Sequence, residues 1–186
     1  AVFCGCPAPM DVAALAPSLP SQPLALPRLT QAQLYGLVNA IRLKETTYKS
    51  AGSVHGCALF RGEDMLVFVE DVGRHNAIDT IAGWMWMNPE APSAAPSTQA
   101  GQADTAPFQP MGGADKVFYT TGRLTSEMVI KSAQMGVPIV VSRSGMTQMG
   151  HAVAQQLGLC AIGRATNRRF VCYAGAHRLV LQPELA

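Results

Sequence analysis

Between residues 116 and 174, short apolar segments of strand length alternate with segments whose apolar residues recur at helical spacing. The strand-like segments are KVFYTTG, VPIVVS, LCAIG and RFVCYAG, and the helical ones are TSEMVIKSAQMG and TQMGHAVAQQLG. A glycine, Gly136 or Gly158, ends each helical segment, as expected for a left-handed helix C-cap. Because strands separated by helices pair in parallel and carry those helices on their faces, the alternation predicts an α/β fold.

The sequence before residue 88 adds an antiparallel component to the predicted sheet. SVHGCALF and MLVFVE are two apolar runs joined by the short turn RGED, and this arrangement predicts a β-hairpin. Upstream, Thr30 is a suitable N-cap for a helix whose apolar face is formed by Leu34, Leu37, Val38 and Ile41. We therefore expect a mixed sheet covered by helices.

Two low-complexity segments flank or interrupt the folded part. Residues 7–29 contain six prolines, which lack a backbone N–H and restrict the residue before them. Residues 1–29 are therefore predicted to form a mobile N-terminal arm. Residues 88–114 are dominated by Pro, Ala, Gln, Ser and Gly, and they predict a surface insertion that carries no chemistry. The rest of residues 30–186 is expected to form one α/β domain.

The composition excludes several classes of protein. With 186 residues, 48% of them hydrophobic, the chain is long and apolar enough to bury a sizeable core. Its net charge of +2 is too small to indicate bulk binding of nucleic acid. No apolar run approaches the roughly 20 residues of a membrane span. We expect a soluble cytoplasmic protein that binds neither nucleic acid nor membrane.

The five cysteines fall into two groups. Cys57, Cys160 and Cys172 lie inside apolar runs and are expected to be small buried hydrophobic residues. Cys4 and Cys6, in the opening segment AVFCGCP, belong to no strand or helix pattern. Their spacing is compatible with a disulfide, with half of a metal site, or with a nucleophile on a mobile arm. The chain has no CxxC and no HxxxH that could complete a zinc site with Cys4 and Cys6, so no metal is expected.

The segment His55-Gly56-Cys57 lies on a strand of the predicted hairpin, in a helix-covered sheet like that of zinc deaminases. Those enzymes need H-x-E followed by P-C-x-x-C, which supply the general acid/base and the zinc ligands. This chain has neither the glutamate nor the PCxxC. Deamination is therefore excluded.

An arginine follows each of three predicted strands, just before the next helix. Arg74 follows VFVED, Arg123 follows VFYTT and Arg143 follows IVVS. Because the carboxyl ends of parallel strands share one edge of a sheet, we expect these guanidinium groups beside helix N-termini with free N–H groups. That edge suits an anionic ligand, such as a nucleotide or a phosphorylated cofactor. The alternative is that the arginines pair with the nearby acids Glu70, Asp71 and Glu127.

Two polar residues follow Arg74 in the same turn. Asn76 is a candidate N-cap for the next helix. His75 is a candidate proton carrier or ligand contact, and simple packing of its imidazole explains it equally well.

Four segments of the chain together resemble the formate dehydrogenase accessory sulfurtransferases, the FdhD family. They are GSVHGCALF, EDVGRHNAID, TTGRLTSEMVIKSAQMGVPIVVSRSGMT and RRFVCYAGAHRLV. The resemblance covers most of residues 48–87 and 115–181. It implies a three-layer α/β/α fold with a mixed sheet, cytidine-deaminase-like but without the catalytic zinc. It also implies a homodimer.

The resemblance further implies a sulfur carrier, that is, a sulfurtransferase that works through a cysteine persulfide. Members of the family receive sulfur from a cysteine desulfurase. They pass it to the molybdenum cofactor, in its bis(molybdopterin guanine dinucleotide) form, before that cofactor enters formate dehydrogenase. The alternative is a chaperone that binds the cofactor without covalent sulfur chemistry.

Site residues follow from the same resemblance. The family's cofactor-binding segment falls on Arg164, Ala165, Thr166, Asn167, Arg168 and Arg169, and three arginines in six residues suit a pyrophosphate. Arg74, His75, Arg123 and Arg143, which the strand-to-helix turns indicate independently of the resemblance, complete the candidate cofactor-binding set. Cys4 precedes a glycine and matches the first cysteine of the family's C-G-x-C-G loop, so it is the predicted persulfide carrier. Cys6 is the second candidate.

Overall fold

The computed structural model describes residues 28–89 and 112–185. Its helices and strands are β1 (Leu29–Thr30), α1 (Gln31–Lys44), α2 (Thr47–Ala51), β2 (His55–Arg61), β3 (Asp64–Asp71), α3 (Arg74–Met87), β4 (Lys116–Thr120), α4 (Ser126–Gln134), β5 (Ile139–Ser142), α5 (Gln148–Leu157), β6 (Cys160–Thr166), β7 (Arg169–Ala174) and β8 (Leu179–Val180). Short 3₁₀ turns cover Ala176–Arg178 and Pro183–Leu185.

Six strands form the main sheet in the order β3-β2-β4-β5-β6-β7. β4, β5 and β6 are parallel, whereas β2 pairs antiparallel with both β3 and β4, and β7 pairs antiparallel with β6. The sheet is therefore mixed, and the predicted hairpin is its β2–β3 edge. Because β3 and β4 are both antiparallel to β2, which lies between them, β3 runs parallel to β4 and β5. The carboxyl ends of these three strands consequently lie at one edge.

Helix α1 covers one face of the sheet, and α3, α4 and α5 cover the other. The cluster on the α1 face includes Leu34, Leu37, Ile41, Phe60, Tyr119 and Ile162. The cluster on the opposite face includes Ile78, Ile81, Phe118, Met128, Val140 and Val153. Phe118 and Tyr119 are neighbours on β4 yet belong to different clusters, because successive strand side chains point to opposite faces. The three-layer α/β/α fold is confirmed.

Threonines precede α1, α4 and α5, and those before α1 and α5 act as side-chain caps. Thr30 forms a capping box with Gln33 at the start of α1, and the Thr147 hydroxyl accepts from the backbone of Gly150 in α5. Thr125 precedes α4 and makes no capping hydrogen bond. Helix α3 begins at Arg74, two residues before the expected start near Asn76. Asn76 is therefore inside α3 and does not cap it.

A second, two-stranded sheet joins the two ends of the described chain. β1 pairs in parallel with β8, with Leu29 opposite Leu179 and Thr30 opposite Val180. The predicted boundary between an arm and a domain after residue 29 falls inside this pairing, and Leu29 itself is buried. The rest of the predicted arm, residues 1–27, and most of the predicted insertion, residues 90–111, lie outside the described residues.

Within residues 28–89 and 112–185, no helix has both the length and the apolar character needed to cross a membrane.

Candidate functional site

Two adjoining cavities lie between helix α1 and the turn that joins β6 to β7. We call them the inner cavity, of about 110 Å³, and the outer cavity, of about 380 Å³. Val38, Arg42 and Asn167 line both of them. The inner cavity also reaches Glu45 and Arg143, and the outer cavity extends to Tyr35, Asn39 and Arg168.

The inner cavity is lined by an ion pair between a buried acid and a partly exposed arginine. Arg143 directly follows β5. Its backbone N–H donates to the carbonyl of Thr120 at 3.0 Å, and this hydrogen bond fixes the start of the loop. Its Nη1 donates to both carboxylate oxygens of Glu45, each at 3.1 Å. The Glu45 side chain is only 2% exposed, whereas that of Arg143 is 37% exposed. Both residues line the inner cavity, with Arg143 partly exposed and Glu45 buried.

The predicted cofactor segment, residues 164–169, forms the end of β6, the turn and the start of β7. The β6–β7 pairing is irregular between Gly163 and Thr166, and both Arg164 (φ 51°) and Asn167 (φ 53°) adopt left-handed backbone conformations. Such conformations are uncommon for residues other than glycine. They bend the strand so that buried Ala165 and exposed Thr166 and Asn167 line the inner cavity.

Helix α1 fixes this turn from the other side. The Tyr35 hydroxyl donates to the carbonyl of Arg168 at 3.1 Å, and Arg168 lines the outer cavity. Arg164 and Arg169 are exposed and do not line either cavity. The structure therefore brings Arg143 together with Ala165, Thr166, Asn167 and Arg168, which are five of the ten predicted cofactor-binding residues.

Arg74, His75 and Arg123 lie outside the two cavities. Arg74 is the first residue of α3, and its side chain runs against Gly122, where a Cβ atom would come within 2.8 Å of the Arg74 Cδ. Its Nε is buried without a hydrogen-bond partner from the described residues. The His75 Nε2 lies 3.3 Å from a carboxylate oxygen of Glu127, and Arg123 is exposed.

The acids proposed as alternative partners of the arginines have other contacts. Glu70 accepts from the Thr46 hydroxyl and the Thr47 backbone. Asp71 accepts from the backbone of Gly73 at 2.7 Å and from Asn76. Arg143 does pair with an acid, but that acid is Glu45 on the α1 face. The three arginines thus share an edge of the sheet without sharing a cavity.

His55 and Cys57 lie on β2, close to Arg74 at the start of α3. Burial and, to a smaller extent, the Arg74 guanidinium lower the pKa of His55 below its ordinary value of 6.5. Burial raises the pKa of Cys57 to about 12, and its thiol donates to the Thr120 hydroxyl at 3.2 Å. Cys57 is therefore a buried thiol with little thiolate character, as the sequence predicted.

The other two described cysteines lie on neighbouring strands. Cys160 is fully buried on β6, as expected, whereas Cys172 on β7 is only half-buried. A hydrogen bond from the Cys160 thiol lowers the pKa of the Cys172 thiol below its ordinary value. Cys4 and Cys6, the predicted sulfur carriers, lie outside the described residues. Among the residues that the structure covers, no three His, Cys, Asp or Glu side chains are grouped to hold a metal ion.

Sequence reasoning missed the contribution of α1 to the site. Tyr35, Asn39, Arg42 and Glu45 were not predicted as site residues, because α1 was interpreted only through its apolar face. One signal was available. Glu45 is an acid at the C-terminal end of a helix, where the helix dipole disfavours negative charge, so a specific cationic partner was to be expected.

The chain spans about half the length of the curated relatives it matches. The sulfur carrier protein FdhD of Halalkalibacterium halodurans is 29% identical over 152 residues, which is 82% of this chain and 48% of that protein. The sulfur carrier protein FdhD of Bacillus subtilis is 32% identical over 133 residues, which is 72% of this chain and 43% of that protein.

A solved structure supports the same relationship. The crystal structure of a formate dehydrogenase accessory protein from Desulfotalea psychrophila superposes with a TM-score of 0.69 at 28% identity. The match covers 86% of this chain and 60% of that one. The profile of the FdhD/NarQ family matches residues 1–180. On this match and these similarities, the chain belongs to the FdhD/NarQ family.

Proposed function

We propose that the chain is a sulfur carrier in the maturation of formate dehydrogenase. In this proposal it accepts sulfur from a cysteine desulfurase and passes it to the molybdenum cofactor. It binds that cofactor as bis(molybdopterin guanine dinucleotide), which is cargo rather than a resident prosthetic group. We expect it to act in the cytoplasm as a homodimer. Membership of the FdhD/NarQ family supports the sulfur-carrier part of the proposal.

The observation that carries the cofactor part is the meeting of three distant segments at the inner cavity. Arg143 from the β5–α5 loop, Thr166 and Asn167 from the β6–β7 turn, and Arg42 from α1 all line it. Guanidinium groups and amide or hydroxyl donors are the groups that bind phosphates and the polar edges of nucleotide bases. The residues present therefore fit a guanine dinucleotide.

The loading step that we propose is a thiolate exchange at Cys4. The Cys4 thiolate attacks the outer sulfur of the desulfurase persulfide, and the old S–S bond breaks. The desulfurase leaves as a thiolate, while Cys4 becomes Cys-S-SH, with no net oxidation. Delivery breaks the S–S bond of the Cys4 persulfide: Cys4 leaves as a thiolate, the outer sulfur passes to the cofactor at the sulfane level, and two electrons from a reduced form of the cofactor convert it to sulfide. Cys6 is the alternative carrier.

The second candidate function is a cofactor-binding chaperone without sulfur chemistry. The described residues that line the two cavities include no cysteine, so a cofactor held there meets no thiol from the described part of the chain. A carrier must then bring its thiol from elsewhere, whereas a chaperone needs none. The two functions differ in whether the arm cysteines are required.

Substitution of the two arm cysteines separates these functions. The double variant Cys4→Ala/Cys6→Ala is produced in cells that lack their own carrier, and formate dehydrogenase activity is measured. The sulfur-carrier proposal expects the activity to fall to the level of cells without any carrier. The variant Cys172→Ala, which removes a half-buried thiol of β7, is the matched control and should support normal activity. Full activity of the double variant would establish the chaperone instead.

A further inference from the structure

An irregularity in the β6–β7 pairing places two cysteines on the same face of the sheet. Ala174 is opposite Ala161, whereas Cys172, two residues earlier on β7, is opposite the very next residue of β6. β7 therefore has an extra residue at this point, which is a β-bulge. Because side chains alternate between the faces of a sheet, an unbroken ladder would point Cys172 away from the face that carries Cys160. The bulge brings both onto the α1 face.

The two cysteines are in contact on that face. Both pack in the apolar cluster beneath α1, where Cys160 is fully buried and Cys172 is half-buried. The Cys172 sulfur accepts a hydrogen bond from the Cys160 thiol. While it is protonated, Cys172 itself donates to the carbonyl oxygen of Ala174 at 3.3 Å. The more accessible sulfur is thus held against the buried one.

The contact gives the two thiols different reactivities. The hydrogen bond from Cys160 lowers the pKa of Cys172, whereas that same hydrogen bond and burial raise the pKa of Cys160. A thiolate is the form that attacks oxidants, so Cys172 is the attacking sulfur. Cys160 lies beside it, as a resolving cysteine does. The nearby guanidinium of Arg178 favours negative charge on Cys160, which helps the Cys160 sulfur to attack in turn.

We propose that Cys172 is an oxidation site for hydrogen peroxide and that Cys160 is its resolving partner. The Cys172 thiolate attacks one peroxide oxygen, the O–O bond breaks and hydroxide leaves, so that Cys172 becomes a sulfenic acid. The Cys160 sulfur then attacks the sulfur of that acid. An S–S bond forms, the S–O bond breaks, and the hydroxide leaves with the Cys160 proton as water. The pair of sulfurs loses two electrons, and the peroxide is reduced to water.

The disulfide formed in this way links the two strands that carry the turn at residues 164–169. A disulfide is returned to its thiols by exchange, whereas a sulfinic acid is not. The resolving cysteine therefore keeps oxidation at Cys172 reversible. The inference is independent of the sulfur-carrier proposal, because neither cysteine lines the two cavities and neither belongs to the N-terminal segment.

Counting thiols after peroxide treatment tests the assignment. The full chain with Cys4→Ala/Cys6→Ala keeps three of its five cysteines. We expect hydrogen peroxide to lower the number of free thiols, measured after unfolding, from three to one, and dithiothreitol to restore all three. The thiol that survives should be Cys57, which burial keeps protonated.

Peptide mapping without reduction identifies the bond. Trypsin should release residues 144–164 joined to residues 170–178 from the oxidised chain. Cys160→Ala should instead leave a sulfenic acid at Cys172, which dimedone traps and excess peroxide converts to sulfinic acid. Cys172→Ala should keep both of its remaining thiols. Cys57→Ala removes a buried thiol outside the pair, so it is the matched control and should still form the linked peptides.

Three results would overturn the proposal. In the first, the treated chain keeps all three thiols. In the second, Cys172 is found as sulfinic acid and no linked peptide is present. In the third, the linked peptides come only from species in which two chains are joined. All three are read on a chain in which Cys160 and Cys172 are both intact, so the test does not depend on how well their variants fold.

Discussion

A carboxylate as buried as Glu45 is stable only with a close cationic partner. Removing a carboxylate from water costs several kcal/mol, and the attraction to a paired guanidinium offsets that cost. Glu45 has this partner in Arg143, at 3.1 Å. Deleting the arginine would leave an unpaired buried charge, which typically destabilises a protein by about 3–5 kcal/mol. Lysine at position 143 keeps a cation beside Glu45 and should avoid most of this loss.

The charge state of His55 depends on its burial and on the neighbouring Arg74. Burial and the adjacent guanidinium both disfavour the imidazolium, so the pKa of His55 lies below 6.5 in the folded chain. The unfolded chain therefore binds more protons at this histidine than the folded chain once the pH falls below about 6.5. The free energy of unfolding therefore decreases as the pH falls below about 6.5, and the part of this decrease due to His55 levels off once the pH is below the pKa of His55 in the folded chain.

A titration of His55 followed by NMR checks this effect. We expect a midpoint below 6.5 in the wild-type chain, and a higher midpoint in Arg74→Gln, because the variant removes one of the two causes. Urea unfolding should show a weaker loss of stability with falling pH in His55→Gln than in the wild type. A midpoint at or above 6.5 in the wild type would show that neither burial nor Arg74 acts on this imidazole.

At the scale of elements, the helix starts that follow Thr30, Thr125 and Thr147 are built differently. The turn before α5 is capped by the Thr147 hydroxyl, and the cap of α1 is the Thr30 capping box. The Thr125 hydroxyl before α4 is buried and makes no hydrogen bond to the described residues. A buried hydroxyl without a partner contributes nothing as a cap and carries a desolvation cost.

Threonine-to-alanine substitutions at these positions should therefore have unequal effects. We expect Thr30→Ala and Thr147→Ala each to lower the free energy of unfolding by about 1 kcal/mol, the usual loss of a helix N-cap. Thr125→Ala should be neutral or slightly stabilising, because it removes an unsatisfied hydroxyl. Chemical unfolding of the three variants measures these differences. A loss at Thr125 equal to that at Thr147 would mean that its hydroxyl has a partner.

The sequence predicted those elements whose signal is local. Helical spacing and a following glycine located α4 and α5, and two apolar runs around a turn located the β2–β3 hairpin. Pattern alone did not distinguish Thr125 from Thr147, since both precede a helix in the same way. The β1–β8 pairing was also missed. It joins Leu29 to Leu179 in strands of two residues, which are too short to show a two-residue period.

At the scale of the whole molecule, one half of the site could be predicted and the other half could not. The turn at residues 164–169 was assigned through family resemblance and does line the cavities in part. The α1 half depends on how the helix crosses the sheet. That crossing brings Glu45 to Arg143 across 98 residues of sequence. Nothing in the periodicity of α1 indicates which strand end its last turn will meet.

The proposed function divides the chain into two parts. In that proposal, the cavities between α1 and the β6–β7 turn hold the guanine dinucleotide. The described residues lining them include no thiol, so the proposal assigns the sulfur chemistry to the cysteines of the N-terminal segment. Cargo binding and sulfur transfer should therefore be separable by substitution, with the arginines affecting the first and Cys4 the second.

The measurement that tests the sulfur-carrier proposal most directly is mass spectrometry after incubation with a cysteine desulfurase and cysteine. We expect one added sulfur on the peptide that contains Cys4 and Cys6, and its loss when molybdenum cofactor is supplied. Fragmentation of that peptide would identify the carrier, which we expect to be Cys4. If neither cysteine gains sulfur while the chain still binds guanine nucleotide, the protein holds the cofactor but does not carry sulfur.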